Sequence, residues 1–193
     1  MQYLKDEIKD AIKQAALTEF MEKSYQDASM RVIAKSAGIT VGNIYRYFTN
    51  KDALFNDIMQ PVWQNVTKAI FDNYNQTLDL FPITEIITAI MEIYKRYDRE
   101  LYILLFKSKG SQFDNVRNEL ILLIEERIRN EMLPVLAQEN RIVEDEFIFH
   151  ILANAIVEGL YLIIRECGND FPRVEKLIGT MMTTLVKDLY QRL

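Results

Sequence analysis

The chain has 193 residues, of which 49% are hydrophobic and 26% are charged. This composition is typical of a soluble globular protein, and four prolines and six glycines are too few for a mainly disordered chain. The single cysteine excludes an intramolecular disulfide and favours a reducing cytoplasm, and the charged first ten residues do not resemble a secretion signal. A net charge of −5 argues weakly against nucleic acid as a partner.

Apolar residues recur at helical spacing along almost the whole chain, and no segment shows the alternation expected of a strand. Together with caps, glycines and prolines, the pattern predicts an all-α fold of about nine helices joined by short loops. Pro61 lies inside the fourth of these segments and predicts a kink or break there, and Pro134 predicts a kink in the seventh. The predicted helices cover about residues 4–20, 30–37, 41–47, 50–78, 82–97, 99–107, 113–139, 144–167 and 172–192.

Hydroxyl side chains precede three of the early helices and are candidate N-caps, since their oxygens accept from free N–H groups of the first turn. Ser29 is the candidate for the second helix and Thr40 for the third. Thr49 begins a capping-box pattern, Thr49-Asn50-Lys51-Asp52, that opens the fourth.

Residues 29–48 have the layout of a helix-turn-helix, whose second helix enters the DNA major groove. Ala34 provides the small side chain that two steeply crossing helices need, and Gly38 tolerates the positive φ of the turn. Ile44 and Phe48 are four residues apart and predict the buried face of the second helix. The opposite face then presents Thr40, Val41, Asn43, Arg46 and Tyr47.

The segment 28–51 has a local basic character that the net charge hides. It contains Arg31, Lys35, Arg46 and Lys51 and no acidic residue. A local cluster of cations marks a phosphate-binding surface better than the overall charge does. Four basic residues in 24 can also occur by chance, so charge alone is weak evidence for DNA binding.

Residues 32–54 resemble the signature of the TetR-type (tetracycline-repressor-like) regulators nearly end to end. The resemblance covers about residues 5–60; beyond them it is limited to helix number, helix order and chain length. Ser24 stands where many members have glycine, and Ser29 where threonine is common. A generic helix-turn-helix does not require the residues that carry the likeness: Gly42, Ile44, Tyr45, Tyr47, Phe48, Lys51 and Leu54.

The resemblance implies a DNA-binding domain over residues 1–50 and a helical effector-binding and dimerisation domain over residues 51–193, connected by helix 4. Phosphate contacts are expected from Ser29, Arg31, Tyr47 and Lys51, and Tyr45 is expected between the two faces, half buried. Base edges or flanking phosphates are expected to be contacted by Thr40, Val41, Asn43 and Arg46.

In the resembling family, predicted helices 8 and 9 of two subunits form a dimer, which suits a palindromic double-stranded operator. A monomer core is the alternative for these apolar helices. Aromatic residues of helices 4–8 are candidate effector contacts or core residues: Trp63, Tyr74, Tyr94, Tyr102 and Phe106. The polar stripe of His150, Asn154 and Glu158 is expected to line either the ligand pocket or the dimer seam.

The sequence therefore predicts a cytoplasmic, sequence-specific transcriptional regulator, a repressor by family default, released from its operator by a small molecule. One cysteine, one histidine and the lack of a glycine-rich phosphate loop argue against an enzyme, a metal site or a cofactor. The apolar stretch 147–164 suits a buried helix better than a membrane span, because it carries that polar stripe. A helical adaptor with a vestigial DNA-binding domain is the alternative.

Overall fold

A computed structural model describes residues 2–71, 83–187 and 189. Within these ranges the chain forms helices and no strand, which confirms the predicted all-α class. The nine helices that the structure describes are α1 (Gln2–Asp27), α2 (Met30–Ser36), α3 (Val41–Ile44), α4 (Lys51–Phe71), α5 (Ile83–Arg96), α6 (Asp98–Phe106), α7 (Val116–Gln138), α8 (Phe147–Cys167) and α9 (Phe171–Val186).

The chain divides into two compact units. The first consists of Met1–Gln64 and Tyr97–Val116, and the second of Asn65–Arg96 and Arg117–Leu193. The first unit contains α1, α2, α3 and α6 with most of α4, and the last turns of α4 belong to the second. The functional boundary at residue 50 stays a prediction, since compactness says nothing about which residues bind DNA.

The core of the first unit is built on aromatic contacts between α1 and α4. Phe20 and Phe55 are buried and meet edge to face, with ring centroids 4.9 Å apart. Phe113 extends this cluster, with its ring centroid 6.1 Å from that of Phe55. Large buried aromatic rings contribute more to stability than other side chains, so this cluster is the main anchor of the unit.

In the second unit, α9 packs against both α5 and α8. Tyr94 of α5 donates its hydroxyl to the carbonyl of Gly168, and its ring lies 5.2 Å from that of Phe171. The turn between α8 and α9 is thus held by α5. Arg127 of α7 donates to the carbonyls of Ala69 and Ile70 near the end of α4.

The observed helix starts correct two of the predicted caps. Thr40 accepts a hydrogen bond from the N–H of Asn43 at 3.2 Å, as predicted for an N-cap. Ser29 occupies the cap position of α2, but its side chain makes no cap bond. Helix α4 begins one residue later than a Thr49 cap requires, and Asn50 is the cap, accepting from the N–H of Ala53 at 2.7 Å.

Several predicted helix bounds shift as well. Helix α3 ends at Ile44, and the predicted continuation to Tyr47 is a turn with bonds from Arg46 to Asn43 and from Tyr47 to Ile44. Neither Pro61 nor Pro134 ends its helix, so a break at Pro61 is wrong. Helix α8 begins at Phe147 instead of residue 144.

Candidate nucleic-acid interface

The turn between α2 and α3 has the geometry predicted from the sequence. Gly38 adopts a φ of 71°, which an L side chain rarely tolerates. The N–H of Ile39 donates to the carbonyl of Ala34 at 3.0 Å, which ends α2. Ala34, Ile44 and Phe48 are buried, as the pattern predicted. These three apolar residues fix which side of α3 faces outward.

The outward side of α3 carries the side chains predicted to read DNA. Thr40 and Arg46 are exposed, Val41 is 37% exposed, and Asn43 and Tyr47 are partly exposed. Tyr45, expected to be half buried, is 48% exposed and so lies among the exposed residues. The bases that these residues contact stay a prediction.

Three cations of the segment 28–51 are exposed: Arg31, Lys35 and Arg46. No residue that the structure describes forms a salt bridge with any of them. An exposed cation without an acidic neighbour keeps its full attraction for a polyanion. We call Arg31, Lys35 and Arg46 the basic patch.

The start of α2 is held by a buried carboxylate that the sequence analysis missed. Glu19 of α1 is only 8% exposed and accepts a hydrogen bond from the backbone N–H of Ser29 at 3.1 Å. This negative charge at the N-terminus of α2 is favourable for the helix dipole. Its signal in the sequence is its place beside Ile12 and Ala16 on the buried stripe of α1, where an acidic residue needs a partner.

Lys51, predicted to contact phosphate, is engaged within the chain. Its ammonium donates to the carbonyls of Gln26 at 2.9 Å and Ala28 at 3.1 Å. It also lies 4.7 Å above the ring centroid of Tyr25, a cation–π distance. The structure therefore gives Lys51 a second role, and its contact with phosphate stays a prediction.

Tyr25 and Asp52 form a second link beside Lys51. The Tyr25 hydroxyl donates to the Asp52 carboxylate, and the N–H of Tyr25 donates to the carbonyl of Lys107 at 2.7 Å. Burial, followed by the neighbouring Asp52 carboxylate, raises the pKa of Tyr25 to about 12. The tyrosine is therefore neutral and remains a hydrogen-bond donor throughout the physiological pH range.

Ser24 precedes this connection in an unusual backbone conformation. Its φ of 65° and ψ of 167° interrupt the helical geometry of α1. That region is populated almost only by glycine, because a side chain there clashes with the backbone. This explains why glycine is common at the position in the resembling family.

The start of α4 is tied to α1 by charges. Asp57 binds both Lys9 at 3.0 Å and Lys13 at 2.6 Å. Although burial raises the pKa of Asp57, the hydrogen bonds from the two ammonium groups lower it below its usual value. A charged Asp57 therefore holds α4 against α1 over the neutral pH range.

The predicted ligand residues are distributed over both units. The first unit contains Trp63, Tyr102 and Phe106, and the last two rings are in tilted contact, with centroids 4.8 Å apart. The second contains Tyr94, which is buried, with its hydroxyl bound as described. Tyr74 lies outside the described residues. The assignment of these residues to an effector pocket stays a prediction.

Two residues of the polar stripe on α8 bind partners on α7. His150 Nδ1 lies 2.7 Å from Glu125 Oε2, and Arg117 Nε donates to Glu158 Oε1 at 2.6 Å. The hydrogen bond to His150 is the main cause that lowers the pKa of Glu125. Asn154, between them, is exposed. His150 Nδ1 and the Glu158 carboxylate therefore each have a partner within the second unit.

The described residues hold no group of three or more His, Cys, Asp or Glu side chains arranged to bind a metal ion.

Residues 12–58, which include α2 and α3, match the family model described as bacterial regulatory proteins of the tetR family. This match covers the whole of the helix-turn-helix and the start of α4.

Curated relatives match a part of the chain. The HTH-type transcriptional regulator PksA of Bacillus subtilis (strain 168) is 32% identical over 82 residues, which are 42% of this chain and 39% of PksA. The matched segments span 17% and 39% of the two curated relatives, so this chain corresponds to less than half of either.

Solved structures match over nearly the full length. NalD, the secondary repressor of the MexAB-OprM multidrug efflux pump in Pseudomonas aeruginosa, is 22% identical, with a TM-score of 0.60 over 95% of this chain and 99% of its own. A TetR-like transcriptional regulator from Rhodococcus sp. RHA1 is 17% identical, with a TM-score of 0.66 over 93% of this chain and 96% of its own. At these identities the likeness establishes a shared fold and nothing about ligands.

Proposed function

Because the chain belongs to the TetR family of bacterial regulatory proteins, we propose that it binds a palindromic double-stranded operator and represses transcription until a small molecule releases it. The basic patch is the observation that carries this proposal. Its three cations are exposed, two of them on α2 and one just after α3, and none has a salt-bridge partner among the described residues. Such a surface attracts the phosphates of DNA while α3 enters the major groove.

The side chains divide into two groups by the contact they suit. Arg31 and Tyr47 lie beside the exposed face and suit phosphate contacts, which set the register on DNA. Val41 and Asn43 lie on α3 and suit base edges, because a methyl group contacts thymine and an amide pairs with adenine. Arg46 suits either a guanine edge or a phosphate.

Selection from a random pool of double-stranded DNA tests the DNA-binding part. We expect enrichment of a sequence with two inverted half-sites. Arg46→Gln should then lower affinity for the selected sequence about tenfold or more, the loss of roughly 1–3 kcal/mol per specific contact. Lys109→Gln is the matched control, since it removes one exposed cation of the same unit outside the basic patch.

The result of this selection separates the two candidate functions. If the protein retains no sequence preferentially, even at low salt, the adaptor interpretation replaces the regulator. If Arg46→Gln and Lys109→Gln have equal effects, DNA binding depends on overall charge and α3 does not read sequence.

We further propose a homodimer through α8 and α9, because these helices expose apolar side chains that a monomer leaves in water. Ile151 is 50% exposed, Leu162 is 51% exposed and Leu177 is 37% exposed. By length and composition α8 also meets the criterion for a membrane span. Its Glu158 bound to Arg117 favours a protein partner over lipid.

Sedimentation velocity tests the dimer. Leu162→Asp should shift the protein from dimer to monomer, because a carboxylate in an apolar interface is not solvated. Ile142→Asp is the control, since Ile142 is 87% exposed in the loop before α8. A monomeric parent protein, or an equal response of both variants, contradicts a dimer through these helices.

The proposed release by an effector uses α4, which runs without interruption from the first unit into the second. A tilt of α4 changes the separation of the two recognition helices in a dimer, and Pro61 is the site where the helix bends most easily. Screening small lipophilic and aromatic compounds for loss of operator binding tests the release. Pro61→Ala should change the response to such a compound more than its binding. We expect a regulator with this function to be a cytoplasmic protein.

A further inference from the structure

We propose that Tyr25, Lys51 and Asp52 form a positioning cluster that fixes the connection between α1 and α2 on the start of α4 and so sets the orientation of α3 on DNA. The inference rests on the proposed DNA-binding function and concerns how its surface is held in shape. It gives Lys51 a role other than the phosphate contact implied by family resemblance.

The ammonium of Lys51 binds backbone carbonyl oxygens at the end of α1. Gln26 lies in the last turn of α1 and Ala28 just beyond it, where carbonyl groups have no helical N–H partner. The ammonium of Lys51 satisfies both carbonyls, at 2.9 and 3.1 Å. The position of Lys51 is therefore determined by contacts within the chain.

Asp52 binds the same connection through a side chain. The Tyr25 hydroxyl donates to its carboxylate, and the Tyr25 ring packs 4.7 Å from that of Phe55, one turn further along α4. Two consecutive residues at the start of α4 thus bind one short segment of chain. Helix α2 begins at Met30, two residues after Ala28, and a shift of this segment moves α2 and the α3 packed against it.

Two substitutions of Lys51 that differ in their hydrogen-bond donors distinguish a positioning role from phosphate binding. An ammonium has three N–H donors, and the two carbonyls occupy two of them. Glutamine is neutral but still offers two amide donors, whereas methionine offers none. Lys51→Gln therefore removes the charge and keeps the means to bind the carbonyls, while Lys51→Met removes both.

Operator affinity measured over a range of salt concentrations separates the two roles. If Lys51 is a positioning residue, Lys51→Met lowers affinity about tenfold without changing the salt dependence, and Lys51→Gln retains most of the affinity. Arg31→Gln is the control for a phosphate contact, and it should flatten the slope of log affinity against log salt by about 0.9 per subunit. If both Lys51 variants flatten the slope as Arg31→Gln does, Lys51 is a phosphate ligand and the proposal is wrong.

Hydrogen exchange of the free protein tests the cluster without DNA. Lys51→Met and Tyr25→Phe should speed exchange of backbone amides over residues 25–37, whereas Lys51→Gln should change it little. Tyr25→Phe keeps the ring and its packing, so it tests the hydroxyl in a protein that folds. Unchanged exchange in both Lys51→Met and Tyr25→Phe overturns the proposal. If the parent protein binds no DNA, the proposed function fails, and exchange still decides whether the cluster positions α2.

Discussion

The carboxylate of Glu19 accepts a hydrogen bond from the backbone N–H of Ser29 across ten residues of chain, and it does so while only 8% exposed. Removing the Glu19 carboxylate leaves the N–H of Ser29 without this acceptor. The cost is large because the acceptor is charged and the site is buried. Glu19→Ala should therefore lower the free energy of unfolding by about 1–3 kcal/mol, measured by urea denaturation. Glu19→Gln keeps an acceptor oxygen and should cost less. Equal losses for the two variants would show that the hydrogen bond to Ser29 contributes nothing.

The backbone strain at Ser24 makes this position a candidate for stabilisation. Its φ of 65° is readily adopted by glycine but costs a serine about 1–3 kcal/mol. Glycine also gains entropy in the unfolded chain, so Ser24→Gly should raise the free energy of unfolding by only about 1 kcal/mol. Ser24→Val should lower it, since a β-branched residue tolerates positive φ least. A lower melting temperature for Ser24→Gly would refute this account.

The N-cap of α4 can be assigned by comparing neighbouring residues. Asn50 accepts from the N–H of Ala53, so Asn50→Ala should cost about 1 kcal/mol of stability. Thr49→Ala should have little effect, because Thr49 precedes the cap position. Thermal denaturation of the two variants checks this order. The reverse order would restore the capping box predicted from the sequence.

The raised pKa of Tyr25 predicts a specific loss of stability in alkali. The pKa of Tyr25 is about 12 in the folded protein, against about 10 for an ordinary tyrosine, so its neutral hydroxyl stabilises the folded state fully below about pH 10. This contribution disappears as the pH rises from 10 to 12, where the unfolded chain releases its proton first. The stability difference between the parent and Tyr25→Phe should narrow across this range in urea titrations. A constant difference would show that Tyr25 has an ordinary pKa.

The local features of the helix-turn-helix were predictable because they depend on near neighbours in sequence. The positive φ of Gly38, the Thr40 cap and the buried Ile44 follow from backbone sterics and side-chain periodicity. The error of one residue at Thr49 has the same local origin, since Thr49 and Asn50 are both good caps and only the start of the helix distinguishes them.

Contacts between distant segments were not predictable in this way. Lys51 belongs to a recognisable motif, but the carbonyls it binds lie at the end of α1 and just beyond it, and they have no sequence signature. The pairing of His150 with Glu125 likewise depends on how α7 and α8 pack. The sequence identified these groups as polar residues that need partners, and only the tertiary structure supplies the partners.

Helix α3 has four residues and rises about 6 Å along its axis, which is about two base-pair steps of DNA, and the other candidates for base contacts, Thr40 and Arg46, lie within two residues of its ends. Direct reading of bases by each copy is therefore confined to a short stretch. In a dimer, the base pairs between two such stretches are not contacted, but they must twist and bend to bring both half-sites into register. Their stiffness then enters the binding energy, so operators with identical half-sites should differ in affinity with the deformability of the spacer.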